Sequence, residues 1–140
     1  MKEKFQYPSL VQSISSIRSD FKNLAETWRI PGPELKQITM IVEELFSKIA
    51  QVKSEGDRNQ LLEISLSKTE TDIIIEMIDV GPPYNPLESN PDQDFDPVLS
   101  DEGGMGLSLI EAFSDSLQYN REEGRNILYI QKIIRSQTEN

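Results

Sequence analysis

Three short stretches hold groups able to do chemistry: "IDVGPPYNP" at 78–86, "DEGGMGLSLI" at 101–110 and "IVEELFSKIA" at 41–50. In the first, Asp79 stands two positions before Gly81. That pair makes a turn, or it offers a carboxylate that accepts a hydrogen bond from an exocyclic amine, as a purine-reading group does. Gly81 would then let the base lie against bare backbone. In the second, Gly103, Gly104 and Gly106 precede an apolar run with helical character. Such glycines cap or turn a chain; alternatively, free N–H groups at a helix start accept an anion, and absent side chains let phosphate oxygens approach. The run is not a dinucleotide fingerprint, because Leu109 stands where the third glycine belongs, and no Gly-Lys-Ser/Thr follows to make a P-loop. In the third, Glu44 and Lys48 are four apart on one helix face. On spacing alone this is a surface ion pair worth about 0.3–0.5 kcal/mol.

Composition limits what these groups can do. The 140 residues include no cysteine and no histidine, which removes disulfides, thiolate metal sites and the usual general base near neutral pH. Proton transfer falls to carboxylates, Lys, Tyr or water. A formal net charge of −10 argues against nucleic acid as a direct partner and for a basic protein patch or a metal–anion complex. No apolar run approaches a membrane span, and "MKEKFQYPSL" lacks a signal-peptide core, so the reading is cytoplasmic without membrane association. The length suits one domain over 1–140.

The elements that must position these groups follow from apolar spacing. Leu10, Ile14, Ile17, Phe21, Leu24 and Trp28 predict a helix over 9–28. After "RIPGPEL", with Pro33 in a first turn, a second stripe runs through Leu35, Ile38, Ile41, Leu45, Ile49 and Val52. Polar residues 53–60 read as a turn. "LLEISLS" alternates as a strand with one dry face, and "TDIIIEMID" reads as a central strand after the hairpin turn "KTET". Residues 82–102 form a long loop with five prolines and six acids but no Lys or Arg, the composition of a lid or binding loop. A calcium-loop reading of Asp92, Asp94 and Asp96 fails, because Pro97 replaces the turning glycine and Gly103 the closing glutamate. A third helix is expected over 105–115, then the strands "SLQYN" and "NILYIQKII" joined by "REEGR", with "EKFQYP" as an edge strand. Tight turns between strands predict a two-layer α/β sandwich whose mixed, mostly antiparallel sheet carries helices on one face.

In order and spacing the three stretches resemble the ATP-binding (GHKL, or Bergerat) domain shared by gyrase, Hsp90, histidine kinases and MutL. They are most similar to its small branch, the anti-sigma-factor serine/threonine kinases. The resemblance covers nearly the whole chain and rests most specifically on "GPPYNPLE" combined with "GRNILYIQK". It implies that Asp79 and Gly81 bind adenine. It also implies that Gly103, Gly104, Met105, Gly106 and Leu107 bring backbone amides to the phosphates of ATP or ADP, and that Glu44 is the general base on the attacking hydroxyl. Asn126 would lie near Asp79 on the last strand.

One position departs from that pattern. Where the family has an asparagine that helps hold Mg²⁺, this chain has Lys48, which would sit in the nucleotide site without any acceptor for a cation. No metal ligand is therefore assigned, and Mg²⁺ is not expected to be held as in the family. The resemblance implies an anti-sigma regulatory factor that works by partner switching. It would transfer a phosphoryl group from ATP to an anti-sigma antagonist of the STAS fold, or bind a sigma factor, with a homodimer allowed by analogy. The alternative is a catalytically degenerate, non-kinase protein-binding module of the same fold.

Overall fold

A computed structural model describes residues 1–88 and 109–134. The chain runs β1 (Lys2–Pro8), α1 (Ser13–Trp28), α2 (Gly32–Val52), a single 3-10 turn at Glu55–Asp57, β2 (Leu61–Lys68), β3 (Asp72–Val80), β4 (Ser116–Glu122) and β5 (Arg125–Ile133). Residues 109–113 are helical. The strands form one sheet in the order β1-β2-β3-β5-β4, and every described pairing is antiparallel. Because β5 lies antiparallel between β3 and β4, those two strands run the same way. The chain must therefore cross over between them, and the helical residues 109–113 lie on that crossover.

Strict alternation makes the sheet two-faced. Leu62, Ile64 and Leu66 on β2, Ile73, Ile75 and Met77 on β3, and Leu128 and Ile130 on β5 are all buried. They join Ile17, Phe21 and Trp28 of α1 and Ile38, Ile41, Leu45 and Ile49 of α2 in one core, with Ile110 added from the crossover. Among the described residues the helices lie on this face. On the other face Glu63, Ser65, Ile74, Glu76, Ile78, Ile127 and Tyr129 are only half-buried. This is the expected two-layer sandwich.

The start of the first helical stripe and the end of the second differ from the spacing-based expectation, each for a local reason. The first helix begins at Ser13, whose hydroxyl donates to the Pro8 carbonyl at 2.8 Å, so Leu10 belongs to the preceding turn. The second stripe does not end on Val52, which is half exposed. Its last inward position is Lys53, four after Ile49 and 9% exposed. The backbone has left the helical region there (φ −74, ψ 137), so Lys53 closes α2 with its side chain still on the core side.

Candidate functional site

Strand parity puts Asp79 on the helix-covered face in line with Ile73, Ile75 and Met77. It puts Asn126 on the same face of β5, directly opposite Asp79 in the register. Both are buried polar residues where the core reaches the end of the sheet. Such groups must find partners, and these do. The Asn126 amide nitrogen donates to Asp79 Oδ2 at 3.3 Å and to the Pro82 carbonyl at 2.9 Å. Its oxygen accepts from the Tyr84 backbone N–H at 3.1 Å, from the Tyr119 hydroxyl in a short bond and from Arg121 Nη1 at 3.2 Å. Arg121 also donates to the Gly81 carbonyl at 2.5 Å, and the Gly81 N–H donates to the Gly124 carbonyl at 3.1 Å. Glu123 and Gly124 both have positive φ (49° and 78°), the geometry of a tight hairpin turn matched to strand twist. The resemblance's pairing of "GPPYNPLE" with "GRNILYIQK" is thus a physical contact: the second segment anchors the start of the first.

The remaining Asp79 oxygen is held by a residue of the polar run 53–60, where the sequence predicts a turn. Lys53 Nζ lies 2.5 Å from Asp79 Oδ1, and the two side chains are 6% and 8% exposed. The same ammonium donates to the Val80 carbonyl at 2.8 Å. It sits 3.4 Å from where a Cβ on Gly81 would lie. Gly81 itself has φ +151, a conformation open to glycine and strained for other residues. The signal for Lys53 was present in the sequence, since its i+4 spacing from Ile49 continues the buried stripe. The polar run "KSEGDRNQ" around it concealed that signal.

Glu44 and Lys48 are half-buried on α2. Among the described residues they form no ion pair with each other; the neighbouring Glu43 instead takes Arg18 in a two-bond contact of 2.7–2.8 Å. Glu44 lines a cleft together with Met40, Ile41, Glu43, Leu109, Ile110 and Phe113. The cleft thus lies between α2 and the residues that directly follow the glycine-rich run. Gly103, Gly104, Met105, Gly106 and Leu107, with the loop from 89 to 102, lie outside the described residues.

The fit of a nucleotide divides by end. At the end where the resemblance would seat the base the residues are of the right kind, a buried acceptor beside bare backbone, and each Asp79 oxygen already takes one donor from the chain itself, Lys53 or Asn126. At the α2 position expected to help hold a cation, Lys48 offers no acceptor, so Mg²⁺ does not fit there.

Curated protein sequences give no significant match. Solved structures do. The chain is similar to the RsbU and RsbW domains of Rv1364c from Mycobacterium tuberculosis, at 9% identity and TM-score 0.67 over 96% of this chain. It spans only 33% of that longer chain. It is also similar to the SiaB–SiaC complex from Pseudomonas aeruginosa, at 13% identity and TM-score 0.62, covering 94% of this chain and 89% of that one. The catalytic domain of the histidine kinase ThkA follows at 13% identity and TM-score 0.51, covering 94% and 96%. At these identities the likeness is one of fold alone. A family model matches residues 7–132 on sequence, and the chain belongs to the histidine kinase-like ATPase domain family.

Proposed function

We propose that this chain is an anti-sigma regulatory factor of the serine/threonine-kinase type. It binds ATP and acts in the cytoplasm by partner switching on an anti-sigma antagonist of the STAS fold or on a sigma factor. The observation that carries this reading is the shared cleft: Glu44 and the residues immediately after the glycine-rich run line one space. When bound, ATP supplies the transferable γ-phosphoryl group. The chain's own residues do the rest. Asp79 and Gly81 receive the base, the backbone amides of 103–107 hold the phosphates, and Glu44 takes the proton from an attacking Ser or Thr hydroxyl.

The second reading, a non-catalytic protein-binding module, is favoured by two specific features. Lys48 cannot help hold Mg²⁺, and Lys53 already satisfies Asp79. A titration of ATP with and without Mg²⁺ separates the two readings when paired with a transfer assay on a candidate antagonist. We expect wild type to show little Mg²⁺ dependence and Lys48→Asn to acquire it; equal, strong dependence in both would mean that Lys48 is not at the metal position. If transfer is detected, Glu44→Gln should lower its rate about 100-fold while leaving ATP affinity unchanged. Partner binding with no transfer in either protein would leave the module reading standing.

A further inference from the structure

Lys53 has no part in the chemistry just described, yet its ammonium covers both features that the base would use. It holds Asp79 Oδ1 at 2.5 Å and the Val80 carbonyl at 2.8 Å, and it stands against the bare face of Gly81. Asn126 takes the other Asp79 oxygen at 3.3 Å. We infer that Lys53 competes with the nucleobase for Asp79, so that an adenine nucleotide enters only when the Lys53 side chain leaves. This rests on the nucleotide reading above and adds to it the residue that sets access.

The chemistry of the competition is direct. An ammonium presents to the carboxylate what an exocyclic amine presents, an N–H donor, but with a full positive charge that strengthens the bond. The neutral amine cannot outbid it on that bond alone. The exchange therefore depends on what Lys53 gains elsewhere. Lys53 is the cap residue of α2, and the chain beyond it is extended at Ser54 before the 3-10 turn. The Lys53 side chain is 6% exposed where it stands, while Ser54, Glu55 and Gly56 just beyond it are exposed, so a swing of the four-carbon stem toward that side would put the ammonium in water. The apparent affinity for nucleotide is the intrinsic affinity reduced by the fraction of molecules with Lys53 out.

The experiment measures ADP binding by calorimetry, since ADP reports the base site without phosphoryl transfer. Lys53→Met keeps the stem length and removes the charge. The expected result is weak ADP binding to wild type and an affinity about tenfold or more higher in the variant. Reductive methylation of the wild-type protein, read by mass spectrometry, provides an arm that needs no variant to fold. Lys53 should label slowly alone and markedly faster with saturating ADP. ADP binding to wild type with Lys53 still protected overturns the proposal, as does a folded Lys53→Met that binds ADP no more tightly than a wild type that binds it. Absence of ADP binding by both proteins, with unchanged Lys53 labelling at millimolar ADP, overturns the nucleotide reading itself and this proposal with it.

Discussion

At the scale of single residues, the end of β3 holds a buried charge pair inside a polar network. Removing one partner of such a pair leaves the other uncompensated, at a cost of about 3–5 kcal/mol. Lys53→Met should therefore destabilise the domain by about that much in a denaturant titration. Adding Asp79→Asn should recover more than half of the loss, because the neutral amide keeps hydrogen bonding with Asn126. If the double variant were no more stable than the single, the pair would not be the dominant interaction. Gly81 is a separate matter of backbone. At φ +151 an added Cβ meets strain as well as the Lys53 ammonium, so Gly81→Ala should cost about 1–3 kcal/mol in the same measurement.

At the scale of elements, the edge strand β1 is held from two directions. It pairs with β2 along its length, and Tyr7 sends its hydroxyl to Asp20 of α1 at 2.8 Å. Burial, and then the hydrogen bond to and charge of Asp20, hold the Tyr7 phenol far above its ordinary range. Burial also raises the phenol of Tyr84. A group raised in the folded state contributes stability that is complete below its unfolded value, about 10, and lost as pH rises further. Stability should thus fall from about pH 10 upward and be lower at about pH 11 than at about pH 9. Tyr7→Phe should flatten part of that fall, with Tyr84 supplying the remainder, and should cost about 1 kcal/mol at neutral pH for the lost bond. Chemical denaturation at the two pH values checks both statements. An unchanged alkaline slope in Tyr7→Phe would assign it to other groups.

At the scale of the whole molecule, a sheet with helices on one side leaves the Glu44 cleft and the Asp79 network on the covered side, where α2 passes both. The net charge of −10 acts over longer range than any of these contacts. On the proposed function, a protein partner complementary to this charge would present a basic patch, so association should slow as salt is added, with little change in dissociation. Stopped-flow mixing at about 0.05 and 0.5 M salt tests this. An association rate independent of salt would show that the acidic surface plays no part in recognition.

Much of this molecule was legible along the chain. The alternation in "LLEISLS" and "TDIIIEMID" identified β2 and β3 and the face each buries, and the stripe from Leu35 to Ile49 identified α2. The Asp79 and Gly81 pair could be picked out by residue type, and the resemblance placed Asn126 beside it. Lys53 was not legible as a partner of Asp79, although its spacing from Ile49 already placed it on the buried side of α2. Periodicity is a local property that tells which side of an element turns inward. Which inward polar groups meet is fixed by strand register and by where a helix stops against the sheet. Those are set only when segments far apart in sequence pack together, and at the end of β3 that packing brings Lys53 onto Asp79.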